Sequence, residues 1–377
     1  MHSATRAKLT VYLTVVLVAL LAAARAGSAA EGVGYAETKT GGRPRPAVAV
    51  DNVCAWPNLT VLPGGTIVAT IFNQPSHGSV AGDVECWASR DNGRTWQKVG
   101  TAAPHEPHTN RMNVAAGLTA GGDLIVIASG WSNRYPPGRT GPAFRAGILH
   151  PWLCRSSDGG KTWSIDKTGL PDRAPDGHRW VPFGDILPGD DGVLRAAVYS
   201  WPGRHPRNER AWCIQSRDDG KTWGGFTPID KDNLRNETAI VNLGGGRWLA
   251  AARYSALYGY ASEDNCRTWR PLGRLTSPGQ HPGHLLRLKD GRVLLSYGNR
   301  TGTVHGVEVR VSSDEGRSWS APVRLLDWWG DGGYPSSVQL ADGQILTAYY
   351  AAKIEGHTRY HMGVVIWDPV RSLGAAE

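Results

Sequence analysis

Cysteine is scarce in the 377-residue sequence, and none of it stands in a metal-binding spacing. There is no Cys-x-x-Cys pair and no accompanying run of histidines of the kind that holds zinc. We therefore expect no bound metal and no cofactor. The odd number of cysteines leaves at least one free thiol, and the sequence does not determine whether the others form disulfides. The five are Cys54, Cys86, Cys154, Cys213 and Cys266.

Long apolar segments are absent except at the start of the chain. The apolar run Leu9–Ala24 follows the basic residues Arg6 and Lys8, and small residues suited to cleavage come after it. Its length of about 16 residues is short for a membrane span of about 20. The pattern is typical of a secretory signal peptide, with a membrane anchor as the alternative. We expect residues 1–30 to be removed, the protein to be secreted or periplasmic without a stable membrane span, and residues 31–370 to form one domain.

The sequence also lacks a block of basic residues. The formal net charge is +8, but lysine and arginine are scattered along the chain, and three of these positive charges lie in the predicted signal peptide. Nucleic-acid binding normally requires clustered positive charge. The mature protein is thus mildly basic, which suits an anionic small-molecule substrate better than nucleic acid.

An octet repeated five times is the strongest positive signal in the sequence. In such a turn the Asp accepts backbone hydrogen bonds, the Gly adopts a left-handed conformation and the Trp packs beneath it. We interpret the octet as a structural clasp and not as a source of catalytic aspartates. The five clasps are SRDNGRTW from Ser89, SSDGGKTW from Ser156, SRDDGKTW from Ser216, SEDNCRTW from Ser262 and SSDEGRSW from Ser312.

Six apolar hairpins, each with a Gly-containing turn, alternate with the clasps. NETAIVNLGGGRWLAAAR and YPSSVQLADGQILTAYYA are two of them. A further strand before each clasp completes four strands per repeat, and no long helical period competes with this pattern. The sequence therefore predicts an all-β fold: a six-bladed β-propeller with four-stranded antiparallel blades.

Counting back from the turn glycines gives the residues expected around one end of a central channel. Arg253 lies as far after the turn at Gly245 as Glu237 lies before it, so we expect these two side chains to be neighbours. Arg300 occupies the matching place in the fifth hairpin. The residues expected to ring the channel are Trp56, Asn113, Trp180, Glu237, Pro282 and Tyr334.

A carboxylate, a guanidinium and a phenol at one channel end form a chemically useful set. Tyrosine is a weak nucleophile with an ordinary pKa of about 10, but a neighbouring carboxylate can take its proton as the oxygen attacks. A neutral phenol also avoids repelling an anionic sugar, whereas arginine can bind the anion of that sugar through two hydrogen bonds.

The clasps, the six hairpins and the secretory start together resemble the sialidase (neuraminidase) superfamily, whose propellers carry such clasps as Asp-box or BNR repeats. The resemblance covers nearly the whole mature chain. It implies that Tyr334 is the nucleophile, Glu237 its partner, and Arg253 one of three arginines that bind the substrate carboxylate. The activity it implies is that of an exo-glycosidase that releases a terminal acidic sugar from glycans with retention.

The sequence departs from the sialidase pattern at the other arginines. Trp56 stands in the triplet where sialidases have the first arginine of the triad, and it offers a sugar-stacking surface instead. His305 stands where the third arginine is expected. His305 itself, Arg300, Arg111 and Arg179 are the basic residues expected to take part in substrate binding in place of the missing arginines.

The sialidase acid/base aspartate also has no direct counterpart. The corresponding loop reads NQPSHGSVAGDVECW, with no Asp near Gly78. Asp83 or His77 is expected to donate the proton to the leaving oxygen, because histidine titrates close to neutral pH.

These departures leave two alternatives to a sialidase-like hydrolase. One is a glycosidase or polysaccharide lyase that acts on a uronic or deoxy sugar, with His77 and Tyr334 serving β-elimination. The other is a carbohydrate-binding propeller without catalysis, since the fold alone does not determine function.

Overall fold

The computed structural model describes residues 44–134, 145–203 and 208–373, so the predicted signal peptide lies outside the described residues. Almost all regular structure in these ranges is β-strand, and the helix α1 (Pro369–Leu373) is very short. The prediction of an all-β fold is confirmed. No helix among the described residues has the length and apolar character to cross a membrane.

The strands of the first half of the chain are short and mostly buried, as expected for segments rich in aliphatic residues. In order they are β1 (Ala47–Asp51), β2 (Asn58–Val61), β3 (Ile67–Phe72), β4 (Val84–Ser89), β5 (Gln97–Ala103), β6 (Asn113–Leu118), β7 (Leu124–Ser129), β8 (Trp131–Ser132), β9 (Gly147–Ile148), β10 (Trp152–Ser156), β11 (Ser164–Asp166), β12 (Trp180–Pro188), β13 (Leu194–Ser200), β14 (Ala211–Ser216) and β15 (Gly224–Pro228).

The second half continues the pattern and contains the longest strand. Its strands are β16 (Thr238–Gly244), β17 (Arg247–Arg253), β18 (Leu257–Ser262), β19 (Arg270–Arg274), β20 (Gln280–Arg287), β21 (Val293–Asn299), β22 (His305–Ser312), β23 (Val323–Gln339), β24 (Ile345–Lys353) and β25 (His361–Trp367).

Neighbouring strands in the chain pair antiparallel, as the hairpin pattern predicts. Strands β2 to β5 form one four-stranded sheet and β16 to β19 form another. An eight-stranded sheet has the order β11-β10-β7-β6-β12-β13-β14-β15, in which β6 and β12 pair in parallel. A seven-stranded sheet has the order β1-β25-β24-β23-β22-β21-β20, and β8 pairs with β9.

Strand β23 links two groups of strands because of its length of 17 residues. Its first part pairs with β22 and its last part with β24, and the register shifts between Trp329 and Gly332 and again between Gly333 and Ser336. Such bulges bend a strand and redirect its side chains. At the other edge β1 pairs with β25, which joins the two ends of the described chain.

The clasp octets fold as predicted. In the third clasp the Asp218 carboxylate accepts hydrogen bonds from the backbone of Lys221 (3.1 Å) and Thr222 (2.8 Å), and from the Thr222 hydroxyl (2.6 Å). The indole of Trp223 donates to the carbonyl of Gly220 at 3.1 Å. The clasp carboxylate accepts hydrogen bonds from its own turn, which agrees with a structural role.

Replacement of a clasp aspartate should destabilise the protein. Burial opposes ionisation, but hydrogen bonds from Thr222 and Ser216 hold the pKa of Asp218 at about 2. We expect D218A to lower the free energy of unfolding by about 1–3 kcal/mol near neutral pH, because several hydrogen bonds of about 1 kcal/mol each are lost. The depressed pKa means that this difference should shrink as the pH falls from about 4 towards 2. Denaturant titration measures it, with E355A at an exposed site as the control.

All five cysteines are free and buried, so no disulfide forms among them. A thiol reagent such as Ellman's reagent should therefore label none in the native protein and five after denaturation without reductant. Labelling of fewer than five thiols in the denatured protein would contradict the free state of these side chains.

Candidate functional site

A cavity of about 240 Å³ opens where the sheets meet, and residues from distant parts of the chain line it. Trp56 comes from the segment before β2, Asn113 from β6, Glu237 from the start of the β16–β17 hairpin and Tyr334 from β23. These four belong to the ring that the hairpin spacing predicts. The cavity combines aromatic walls with a few polar groups, which is typical of a site for a small ligand.

Glu237 and Arg253 face each other at the open end of the β16–β17 hairpin. The backbone N–H of Arg253 donates to the carbonyl of Glu237 at 3.1 Å, and the guanidinium donates through Nη1 to the Glu237 carboxylate. The side chains are only 14% (Glu237) and 24% (Arg253) exposed. The expectation that these two residues are neighbours is confirmed, because the symmetric turn fixes their register.

Tyr334 completes this cluster from the far end of the chain. Its hydroxyl donates to Oε1 of Glu237 at 2.6 Å and accepts from Nη1 of Arg253 at 3.1 Å. Tyr334 lies in the second register shift of β23 and has a φ of 53°, a left-handed conformation that is unusual for a bulky residue. Backbone strain of this kind is often found at functional sites. The bulge directs the phenol into the cavity.

The charges of this cluster determine its protonation. Burial raises the pKa of Glu237, but the charge of Arg253 and the hydrogen bond from Tyr334 outweigh it, and the pKa is lowered. Burial alone would lower the pKa of Arg253, but the charge of Glu237 outweighs burial, and the pKa of Arg253 is raised. Burial and the Glu237 charge raise the pKa of Tyr334 above its ordinary value. At neutral pH the cluster is thus a carboxylate, a guanidinium and a neutral phenol, and the carboxylate is positioned to accept the phenolic proton.

Arg300 lies beneath this cluster and does not line the cavity. Its guanidinium carbon is 5.5 Å from the centre of the Tyr334 ring, and its N–H groups donate to the carbonyls of His281 and Gly332. Burial and the charges of Arg253 and Arg300 lower the pKa of His281 to about 3, so this histidine is neutral. Arg300 therefore supports Tyr334 and its strand from below.

His77 lines the cavity beside Trp56. The two rings meet edge to face with their centres 4.8 Å apart, and Trp56 makes a similar contact with Tyr334 at 6.1 Å. Nδ1 of His77 lies 2.8 Å from Oδ2 of Asp331. Trp56, with a φ of 42°, shares with Tyr334 the left-handed conformation. The loop that lacks the expected aspartate thus places a histidine at the cavity.

Asp83, the other candidate acid, is not among the cavity-lining residues. Its Oδ1 accepts from the backbone N–H of His105 at 2.7 Å and lies 2.6 Å from Nδ1 of the same residue. Its backbone N–H donates to the side chain of Asn73 at 2.9 Å. Because Asp83 stands at the base of the loop and joins it to the segment after β5, the geometry favours His77 as the proton donor.

Three of the proposed substitutes for the missing arginines do not line the cavity either. Arg111 is buried, with its guanidinium 3.6 Å from the centre of the Trp152 ring and a hydrogen bond to the carbonyl of His150. Arg179 donates to the carbonyl of Ile148 at 3.0 Å. Nδ1 of His305 lies 3.0 Å from the carbonyl oxygen of Gly330. Their roles in substrate binding remain predictions, without support from this geometry.

Two residues expected in the channel ring are displaced from it. Trp180 is fully buried in the core of the eight-stranded sheet, and Pro182, Phe183 and Gly184 line the cavity in its place. Strand β12 has a register shift between Phe183 and Ile186. Pro282 lies in a similar irregularity of β20, and the cavity is lined by Gly283 beside it. Counting back from a turn fails when a bulge adds a residue to the strand.

Comparison with known proteins agrees with this architecture. Residues 65–347 match the family model described as a BNR repeat-like domain. The chain belongs to the BNR repeat-like family. A search of curated proteins gave no match.

Solved structures with the same fold include several sialidases. A protein of unknown function from Dyadobacter fermentans has a TM-score of 0.72 and 24% identity over 87% of this chain and 98% of its own. The Hadza microbial sialidase Hz136 has a TM-score of 0.63 and 19% identity over 85% of this chain and 66% of its own. Trypanosoma rangeli sialidase with 2,3-difluorosialic acid, a covalent intermediate, has a TM-score of 0.62 and 16% identity over 90% of this chain and 56% of its own. The predicted resemblance to sialidases is confirmed for the fold.

The cavity of this BNR repeat-like protein also contains charged residues that the sequence did not indicate. Arg145 lines it, with its guanidinium 4.9 Å from the centre of the Trp131 ring and a hydrogen bond from Nη2 to the carbonyl of His77. Glu209 and the pair of Asp185 and His284, whose side chains are 3.0 Å apart, line it as well. Arg145 and Glu209 lie outside the repeated clasps and hairpins, so only the folded chain identifies them.

Several polar atoms of the cavity wall are buried without a hydrogen-bond partner among the described residues. They are Nε of Arg253, Nδ2 of Asn113, Nε1 of Trp131 and Oδ1 of Asn58. Buried polar groups are normally hydrogen-bonded, and a ligand or water supplies the missing partner where the protein does not.

One group of side chains in the described ranges has metal-ligating atoms close together. The ligand atoms of Cys54, His77 and Asp331 lie within 4.8 Å of one another. Burial and the neighbouring Asp331 raise the pKa of the Cys54 thiol, and Nδ1 of His77 is already occupied by Asp331. Since zinc binds the thiolate and a free imidazole nitrogen, we assign no metal to this group.

We expect the loss of one partner of the buried Glu237–Arg253 ion pair to destabilise the protein strongly. We expect R253M to lower the free energy of unfolding by about 3–5 kcal/mol, because it leaves the Glu237 carboxylate buried without its counter-charge. The double variant R253M/E237Q should lower the free energy of unfolding by less than R253M alone, because it leaves no buried carboxylate without a counter-charge. Denaturant titration checks this, with R270M as the control at the exposed pair Arg270–Glu263, where we expect about 0–1 kcal/mol. Equal losses for the single and double variants would show that the pair is not coupled.

Proposed function

We propose that this BNR repeat-like protein is a retaining exo-glycosidase with Tyr334 as nucleophile and Glu237 as its base. The observation that carries the proposal is the 2.6 Å hydrogen bond from the Tyr334 hydroxyl to the Glu237 carboxylate at the wall of the cavity. A tyrosine nucleophile requires such a carboxylate to take its proton. The sialidase-like fold and the BNR repeat-like family agree with a glycosidase of this superfamily.

In the first step the Tyr334 oxygen attacks the anomeric carbon of the terminal sugar while its proton passes to Glu237. The bond from the anomeric carbon to the leaving oxygen breaks, and protonated His77 donates a proton to that oxygen. The product of this step is a sugar bound covalently to Tyr334. Arg253 keeps Glu237 ionised until the phenolic proton arrives, because its charge lowers the pKa of the carboxyl group.

In the second step a water molecule gives a proton to neutral His77 and attacks the anomeric carbon. The bond between the sugar and Tyr334 breaks, and the phenolate takes back the proton that Glu237 holds. Both inversions occur at the same carbon, so the configuration is retained overall. The enzyme returns to its starting protonation state.

We propose a terminal acidic sugar as the substrate. Arg253 uses Nη1 for Glu237 and Tyr334, and its buried Nε has no partner among the described residues. Arg145 provides a second guanidinium at the cavity wall. Two arginines can bind a carboxylate by charge-assisted hydrogen bonds. The face of Trp56 suits stacking against the sugar ring.

An uncharged deoxy sugar is a second candidate, favoured by the acidic residues in the cavity. Asp185 and Glu209 line it, and Asp185 is held by the side chains of Asn58 (2.9 Å) and His284 (3.0 Å). Carboxylates bind sugar hydroxyl groups well but repel an anionic sugar.

We further propose that the sheets form six four-stranded blades within residues 31–370 and that the protein is exported. The two separate four-stranded sheets support this arrangement, as does division of the eight-stranded sheet at its parallel β6–β12 pair. Division of β23 at its bulges gives two further groups, with β1 as the last strand of the sixth. Export rests on the signal-peptide pattern of residues 1–30.

Substitution of Tyr334 tests the mechanism. On a panel of 4-methylumbelliferyl glycosides that includes the α-sialoside, Y334F should lower kcat by roughly 10³-fold or more, because the nucleophile is lost. E237Q should lower it by about 10²–10⁴-fold. The matched control is Y349F, since Tyr349 is fully buried away from the cavity and its hydroxyl has no partner among the described residues. Y349F should keep wild-type rates.

Trapping identifies the nucleophile directly. After incubation with 2,3-difluorosialic acid, peptide mass spectrometry should find the sugar on the peptide that contains Tyr334, and not in Y334F. Turnover that is unchanged in Y334F would remove Tyr334 from the mechanism. An unsaturated product from uronate-containing polysaccharides would indicate a lyase, and saturable glycan binding without any turnover would indicate a binding protein.

A further inference from the structure

Asp331 receives three hydrogen bonds behind the wall of the cavity. The Tyr350 hydroxyl donates to Oδ1 at 3.0 Å, and the Tyr360 hydroxyl donates to Oδ2 at 3.1 Å. Nδ1 of His77 lies 2.8 Å from Oδ2. Two tyrosines in fixed positions thus determine the orientation of the carboxylate, and the carboxylate in turn determines the orientation of the imidazole.

The carboxylate carries a negative charge in this environment. Burial raises the pKa of Asp331, but the hydrogen bond from His77 and the charge interaction with it outweigh burial, and the pKa is lowered. An ionised carboxylate only accepts hydrogen bonds, so the proton between the two side chains belongs to Nδ1 of His77. Nε2 of His77 has no partner among the described residues, and the side chain is 43% exposed.

We propose that Asp331 is a positioning residue that holds neutral His77 in the Nδ1–H tautomer, so that Nε2 is the atom that transfers protons in the cavity. This inference rests on the proposed function for the role of His77 in the reaction. A carboxylate bonded to one imidazole nitrogen fixes the tautomer and leaves the other nitrogen for chemistry. The side chain of free histidine in water favours the Nε2–H tautomer, so an Nδ1–H form of His77 would be a measurable consequence of Asp331.

The pair of His77 and Asp331 is connected to the nucleophile by packed aromatic rings. Trp56 contacts both His77 and Tyr334, with ring centres 4.8 Å and 6.1 Å apart. The Tyr350 ring centre is 5.7 Å from that of Tyr334, and the Tyr350 hydroxyl is bonded to Asp331. His77 is therefore separated from Tyr334 by a single ring, on the loop where the sialidase pattern expects an acid.

The tautomer can be measured without a substrate. In wild-type protein labelled with ¹⁵N-histidine, at a pH where His77 is neutral, NMR should show the Nδ1–H form for the resonance that is missing in H77Q. D331N should move His77 towards the Nε2–H form. The matched control is D172N, which removes a carboxylate 3.2 Å from Nδ1 of His150 and should leave His77 unchanged. An Nε2–H form in the wild-type protein overturns the proposal, whether or not D331N folds.

The dependence on the leaving group tests the role of this tautomer in catalysis. A good leaving group needs little protonation in the first step, and kcat/KM reports that step. D331N should therefore lower kcat/KM for the methyl glycoside of N-acetylneuraminic acid by roughly 10²-fold more than kcat/KM for the 4-methylumbelliferyl glycoside. H77Q should show a larger difference between the two substrates than D331N does, and the control D172N should show no difference between them. An equal loss on both substrates would indicate a merely structural effect and overturn the positioning role.

The two experiments separate the inference from the proposed function. If the wild-type protein hydrolyses neither glycoside, the proposed acidic-sugar hydrolase is wrong, but the NMR measurement still decides whether Asp331 controls the tautomer of His77. If Y334F is inactive while D331N and wild-type proteins share one tautomer, the proposed nucleophile stands and the role of Asp331 is wrong.

Discussion

The hydrogen bond between the Tyr334 hydroxyl and the Glu237 carboxylate is the interaction on which the chemistry of the cavity depends. It joins residues far apart in the chain, and the buried Glu237 carboxylate stays ionised mainly because Arg253 supplies a counter-charge. Without that guanidinium, burial would favour a protonated Glu237 that could not accept the phenolic proton. The ion pair is thus both a structural element of the hairpin and a condition for the proposed nucleophilic chemistry.

The surroundings of this cluster divide between support and ligand binding. Arg300 donates its hydrogen bonds to backbone carbonyls beneath Tyr334, and its guanidinium lies near the Tyr334 ring outside the cavity lining. The guanidinium groups that line the cavity are instead those of Arg253 and Arg145, and Trp56 contributes an aromatic wall. Of these two arginines, only Arg253 was expected from the sequence, and Arg145 comes from a loop outside the repeats.

The sequence predicted the parts of the site that follow from local register. Glu237 and Arg253 are sixteen positions apart on one hairpin, and their contact follows from antiparallel pairing about a central turn. The same counting failed for Trp180 and Pro282, because β12 and β20 contain irregularities that the hydrophobic pattern does not reveal. Arg145 belongs to no repeat, so nothing in its neighbourhood distinguished it from a surface arginine.

The sequence alone therefore determined the repeated clasps, the hairpins and the all-β class, because these depend on hydrogen bonds and side-chain alternation within a few residues of one another. Tertiary structure decided which distant groups meet: Tyr334 with Glu237, and His77 with Asp331. It also decided which charged side chains reach the cavity. The physical reason is that a bulge or a loop conformation redirects a side chain by several ångströms, and such redirection depends on packing between sheets and not on the local pattern.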